Sequence, residues 1–338
     1  MNQSDETQST EVSRDKAIYI NGGAGRVLAS IPALEKHFKS NPNSIIVCEG
    51  TDEFFKNHPI LYRRTFHPNH KNLFDDYIKD KDILSPEPYR RWEYYNQKCN
   101  ISQGFDLEIN GSMSTNMVDY KTNIHLTSSE ILKGQVVINQ LKEASGKDSF
   151  IVLQPFGSGI KVNSQIIMDD SGRSIGYNDM VKLIKTLSEN FGVIIMSDID
   201  ITLPDNIKVG RPQASLREWV AIIKASHHFI GCDSVGQHIA FGLDIPCTVI
   251  TGGTFPENVS YPNTKNMNII DLGKDKRRYS TIRIASSEEA DMSNDGLMDF
   301  TEGVLEKIVA TVKKPTVTGE VLPKMCTNED SDCGCGGN

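Results

Sequence analysis

Short apolar runs alternate with longer segments of helical spacing along most of this chain. Residues 17 to 20 (AIYI) read as a buried strand, and NGGAGRV then leads into an apolar-periodic helix from Val27 to Phe38. Pro32 falls inside that helix, where it is read as sitting in the early turns at little cost. SIIVCEG follows as a second strand ending at Glu49-Gly50, so the opening is β-α-β and parallel pairing is expected. Residues 51 to 125 carry only short apolar runs among aromatic and charged residues, with a strand expected near Asp106 to Ile109. Ser128 to Ala144 reads as a helix with Ser128 as its cap, and SGKD (145 to 148) reads as a break between domains. A second series follows: strand Phe150 to Leu153, helix Asn178 to Asn190, strand Val193 to Met196 and helix Leu216 to Ala225. Residues 227 to 262 then read as strand, acidic turn, short helix opening at Ser234, strand Cys247 to Ile250, and a glycine-threonine turn. Asp295 to Val312 has apolar residues at helical spacing and Pro315 ends it.

The pattern therefore predicts an α/β protein with units at 17–145 and 150–312. Residues 1–16 read as a disordered polar leader and 313–338 as a flexible tail containing Cys326, Cys333 and Cys335. The seven cysteines are scattered, and C-x6-C-x-C lacks the paired spacing of a structural zinc site, so reduced thiols and no metal are expected. His67 and His70 read as part of a solvated loop. A net charge of −8 argues against a nucleic-acid partner. No apolar run reaches the roughly 18–20 residues of a membrane span, and the start of the chain has no apolar signal core, so a cytoplasmic protein is expected.

Candidate chemistry gathers where strands end in small residues. Gly22, Gly23 and Gly25 follow the first strand, Gly157 and Ser158 follow strand 150–153, and Asp233, Ser234, Val235, Gly236 and His238 follow the apolar run with Phe229 and Ile230 that ends at Gly231. Thr251, Gly252 and Thr254 follow the next. A helix start beside a small-residue loop offers backbone N–H groups and a positive dipole end, which suits the diphosphate of a nucleotide. Arg173 and Lys161 are the candidate cations. A dehydrogenase reading fails, because the G-x-G-x-x-G spacing is absent.

The segment 229–256 resembles glycosyltransferase family 9, the ADP-heptose:lipopolysaccharide heptosyltransferases. Phe229, Ile230, Gly231, Asp233, Ser234, His238, Ala240, Leu243, Pro246, Gly252, Thr254 and Pro256 fall in register with F-[IV]-G-x-[DN]-[ST]-G-x-x-H-x-A-A-x-L-x-x-P and its following G-x-T-x-P. Val235 stands where that motif has glycine. INGGAGRVLASIPAL is similar to the family's opening motif through Gly22, Gly25, Leu28, Pro32, Ala33 and Leu34; IVLQPFGSG and GRSIGYNDM are similar to two further segments, with Arg173 in the basic position. The resemblance spans 18 to about 265, although 51–145 matches only in architecture.

It implies two Rossmann-like domains facing across a cleft, the GT-B arrangement, with a nucleotide-sugar donor on the C-terminal domain and the acceptor on the N-terminal one. It implies inverting, metal-independent transfer of a sugar, a heptose from an ADP-linked donor being one form, to a glycan or lipopolysaccharide-type acceptor. No cofactor is implied, and membrane contact would be peripheral, through the acceptor. One position departs from the family. The residue after Gly25, an aspartate in the family, is Arg26 here, and a guanidinium cannot accept a proton near neutrality. Three readings follow. Arg26 steers an anionic acceptor while Glu49 or Asp52 acts as base; or a loose transfer needs little base help and Arg26 supports the leaving diphosphate; or the chain is a GT-B-like module that binds a sugar nucleotide without transferring it.

Overall fold

The computed structural model describes residues 15–157, 160–163, 166–169, 172–277 and 296–312. The expected leader, except Asp15 and Lys16, and the expected Cys-containing tail, Cys326, Cys333 and Cys335 included, lie outside them. Strand β1 (Lys16–Ile20) is followed by helix α1 (Ala24–Ser40) and strand β2 (Ile45–Cys48), as the periodicity predicts. Strands β3 (Thr65–Phe66) and β4 (Asp82–Leu84) complete a parallel sheet in the order β3-β2-β1-β4. Val27, Leu28, Ile31 and Leu34 bury the inner stripe of α1.

Pro32 sits deeper in α1 than expected, well past its first turns. A proline there cannot donate to the carbonyl four residues back, which is that of Leu28. The hydroxyl of Thr122 donates to it instead, at 3.2 Å, so a residue 94 positions away repairs the gap.

Helix α2 (Trp92–Tyr95) and helix α3 (Ile101–Asn110) follow. The strand expected near 106–109 is therefore part of a helix. Ile101, Phe105 and Ile109 recur every four residues and are all buried, while Asn100 and Gln103 form a reciprocal capping box at the helix start. A four-residue window was too short to separate the two periods. Helix α4 (Ser128–Ser145) is capped by Thr127 rather than Ser128, again in a capping box, with Glu130.

The second sheet is built from β5 (Phe150–Gln154), the antiparallel hairpin β6 (Ile160–Asn163) and β7 (Ile166–Asp169) standing apart from it, α5 (Tyr177–Ser188), β8 (Gly192–Ile195), α6 (Leu216–Ala225), β9 (His228–Cys232), α7 (Val235–Gly242), β10 (Cys247–Thr251), α8 (Pro256–Val259) and β11 (Met267–Asp271). Its five strands are parallel in the order β11-β10-β9-β5-β8. Of the described residues 296–312, α9 (Val304–Thr311) is the helical part, starting after Gly303 at φ 78°.

The two sheets share a continuous apolar core. Leu28, Phe105 and Tyr120 from the first side and Val152, Trp219 and Phe229 from the second belong to one buried cluster. Helix α4 lies along α6 so closely that a β-carbon on Gly134 would stand 2.4 Å from the Ala221 carbonyl oxygen. Arg217 of α6 pairs with Glu130 and donates to the carbonyls of Glu53 at 2.9 Å and His125 at 2.7 Å. Arg217 is the leading cause that holds the Glu130 carboxyl down at about 2. Below the cleft, Asn258 donates to the carbonyls of Tyr94 (2.8 Å) and Cys99 (3.0 Å), and Asn100 donates to that of Ser260 (2.9 Å). These buried polar ties set the register of one unit against the other.

Candidate functional site

Parallel strands with helices between them send their carboxyl ends, and the starts of the following helices, to one edge of the sheet. Here both sheets turn that edge toward each other. Helix α1 begins after Gly22 (φ 93°) and the N-cap Gly23, and α7 begins after the N-cap Ser234. The two first turns touch. A β-carbon on Gly25 would lie 3.2 Å from Cδ2 of His238 and 3.7 Å from Cα of Val235. The glycine at 25 is thus what lets the two helix starts approach.

The start of α7 is filled by protein groups. Gln154, at the end of β5, accepts the Gly236 N–H at 2.9 Å and donates to the Ser234 hydroxyl at 3.0 Å. A β-carbon on Gly236 would meet the Phe229 ring at 2.3 Å and the Gln154 Oε1 at 2.5 Å. Gly236 is therefore demanded by packing, and its donor is already occupied. The Nδ1 of His238 shares a proton with the Tyr261 hydroxyl at 2.8 Å, and burial pushes the histidine down to about 4.

Beside this closed start lies a charged group. Asp233 is buried and accepts from the Gln237 amide at 2.9 Å. Burial raises its carboxyl above the ordinary range, and Arg173, whose guanidinium is 4.0 Å away, draws it back. Arg173 also lies over Gly157, whose β-carbon position is 3.6 Å from its Cζ. The Gly157 N–H donates to the Ser174 hydroxyl at 3.0 Å, and the Gly253 N–H donates to the Gly172 carbonyl at 3.0 Å. Thr254 is buried next to Asp233. Gly157, Arg173, Asp233 and Thr254 are thus gathered around the end of β9. Ser158 lies outside the described residues, and Lys161 falls in β6.

Thr251 and Gly252 are braced from behind. Arg277 pairs with Asp271 and donates through Nε to the Gly252 carbonyl at 2.7 Å, while Thr251 donates to Asp271 at 3.4 Å. Met298 covers Gly252, its sulfur 2.7 Å from where a β-carbon would stand.

On the first unit, Arg26 is only 9% exposed and is committed to the loop after β4. Its guanidinium donates to Glu87 at 2.8 Å and to the Pro86 carbonyl at 2.7 Å, and it lies 5.2 Å and 5.4 Å from the ring centres of Tyr89 and Phe105. Glu49 and Asp52 are exposed beyond the end of β2; the Glu49 N–H donates to the Ile20 carbonyl at 3.3 Å.

Five participants are not singled out by the sequence: Gln154, Glu87, Tyr261, Asp271 and Arg277. Gln154 carried a signal, since it ends a strand immediately before a small-residue turn. The basic run after Gly273 hinted at Arg277. Nothing local marks Glu87, which meets Arg26 across 61 positions. Among the described residues, no group of three or more His, Cys, Asp or Glu is placed to share a metal ion, and no helix is long and apolar enough to cross a membrane.

No family model and no curated protein sequence matches the chain. Solved structures match its fold. The glycosyl transferase family 9 protein of Veillonella parvula DSM 2008 superposes with a TM-score of 0.60 at 12% identity, over 88% of this chain and 97% of that one. The iron-containing dodecameric glycosyltransferase TibC of enterotoxigenic E. coli H10407 gives 0.55 at 11% identity, over 89% and 76%. The heptosyltransferase TibC in complex with ADP-D-β-D-heptose gives 0.50 at 12% identity, over 88% and 76%. The architecture is therefore the α/β, two-unit GT-B fold that the sequence predicts, shared with family 9 structures.

Proposed function

We propose that this chain is a glycosyltransferase that moves a sugar from a nucleotide diphosphate donor to a glycan or lipopolysaccharide-type acceptor. In our reading the donor is ADP-linked, its sugar is a heptose, and transfer inverts the anomeric centre without a metal or other cofactor. The diphosphate lies at the carboxyl edge of the second sheet, against Gly157, Arg173 and the 251–254 loop, and the acceptor enters over the Gly22–Gly25 turn. The protein works in the cytoplasm, touching a membrane only through its acceptor.

The observation that carries this reading is the apposition of the two helix starts, with Gly25 against His238. It sets the glycine turn of one unit against the helix start beside which Arg173 stands on the other, and that arrangement supports the joining of two substrates. The fold shared with a heptosyltransferase bound to ADP-D-β-D-heptose supports the choice of donor. Arg26, tied to Glu87 where a base is wanted, favours a second reading, a module that binds the nucleotide sugar and transfers nothing.

Calorimetry with ADP-, GDP-, UDP- and dTDP-sugars tests both. Binding of an ADP-sugar, weakened at least about tenfold by Arg173→Ala in a protein that stays folded at the assay temperature, supports the site. No affinity for any nucleotide sugar sinks it. Release of nucleoside diphosphate in the presence of a lipopolysaccharide-core acceptor separates the enzyme from the binding module.

A further inference from the structure

We propose that Glu87 is the proton acceptor of the first unit and that Arg26 is the residue that positions it. The proposal rests on the glycosyltransferase reading above. Arg26 itself cannot take a proton near neutrality, but it occupies the first turn of α1, next to the glycine that meets His238. From there its guanidinium reaches Glu87 and the neighbouring Pro86 carbonyl between two aromatic rings. The seat is rigid, because the guanidinium is 9% exposed and bonded to both a side chain and a main chain.

Glu87 is its opposite. Arg26 grips both of its oxygens, Oε1 at 2.8 Å and Oε2 at 3.4 Å, yet the side chain is 36% exposed and so still meets solvent. Its loop follows β4, which runs parallel to β1, and therefore emerges at the same edge as the Gly22–Gly25 turn. Burying the Arg26 guanidinium is expensive, and a pair whose carboxylate is 36% exposed returns little of that cost in stability. Holding a carboxylate at a fixed place on the cleft edge explains the pair. Glu49 and Asp52 follow β2 at this edge too, but both are exposed and, among the described residues, neither is held by a buried cation as Glu87 is by Arg26.

In the transfer, the acceptor hydroxyl oxygen forms the new bond to the anomeric carbon. The bond from that carbon to the diphosphate oxygen breaks, and its electron pair leaves with the diphosphate. The hydroxyl proton passes to the Glu87 carboxylate, and the carboxylic acid so formed returns it to solvent.

The test uses the full chain with ADP-heptose as donor and a lipopolysaccharide-core oligosaccharide as acceptor, following nucleoside diphosphate release. Glu87→Gln should lower kcat by about a hundred- to ten-thousand-fold. Its donor affinity should stay within about twofold, and the acidic limb of the parent's pH profile should vanish. Arg26→Lys, which keeps a cation for Glu87, should retain more turnover than Arg26→Ala at equal donor affinity. Turnover of Glu87→Gln within threefold of the parent, with its acidic limb intact, overturns the proposal, as does a fall in Glu49→Gln/Asp52→Asn instead. A parent that binds donor but transfers nothing overturns it together with the enzyme reading, whereas a parent that binds no donor refutes the underlying site. Should Arg26→Ala not fold, Glu87→Gln and Arg26→Lys still decide.

Discussion

The starts of α1 and α7 are built on one plan, a buried parallel strand, a turn of small residues and a helix, yet they have opposite characters. At α1 the turn is open: a β-carbon on Gly23 would meet nothing within 4 Å, and Gly22 and Gly23 are exposed. At α7 the turn is packed shut. Gly236, Gln237 and His238 are buried, Gln154 occupies a backbone donor, and Tyr261 holds the histidine. The open start leaves its backbone accessible, whereas the closed one makes a rigid wall, beside which Arg173 stands 4.0 Å from Asp233. A glycine in such a motif therefore has no fixed meaning; what fills the space beside it decides.

The largest break in this comparison should come from Gly236→Val. With the Phe229 ring and Gln154 in the way, overpacking should cost about 3 kcal/mol or more and lower the melting temperature by about 5 °C or more. A melting temperature within one degree of the parent would show that the α7 start is not closed.

The pH dependence comes next. His238 and His228 are both held at about 4 by burial, against 6.5 when unfolded. The unfolded chain takes up protons that the folded one refuses, so stability is whole above pH 6.5 and falls as pH drops toward 4. The loss reaches on the order of 3 kcal/mol per histidine. Below 4.5, protonation of Glu130, normally held at about 2, removes more. Denaturant titrations at pH 7, 6, 5 and 4 should show this slope, and His238→Gln should flatten its upper part. An equal slope in that variant would mean the α7 histidine is not buried neutral.

Gln154→Ala should cost about 1–3 kcal/mol, since it strands the buried Gly236 N–H. Chemical denaturation measures this directly, and an unchanged midpoint would mean that another group takes over that donor. Gly23→Ala should be the smallest effect, under about 1 kcal/mol, because Gly23 is extended (φ −73°) in open space. A large loss there would mean that the two starts are alike after all.

By itself, the sequence determined most elements of 17–48 and 128–250 and their order, but not those of 51–125, where an expected strand is helix α3. The apolar runs at 17–20, 150–153 and 247–250 form buried strands as expected, and the helix between Leu216 and Ala225 appears at the predicted residues. It also marked the strand ends that the two helix starts follow, because glycine turns and an Asp-Ser pair leave a local trace. The tertiary structure alone decided what those residues do. Arg26 finds Glu87 across 61 positions, Gln154 finds Gly236 across 82, and Tyr261 reaches His238 from beyond the next strand. Even the proline in α1 is tolerated through Thr122, far along the chain. Periodicity reports how a segment meets solvent and core within a few turns of itself. Partners chosen by packing between distant segments leave no such period, so they emerge only when the sheets are set edge to edge.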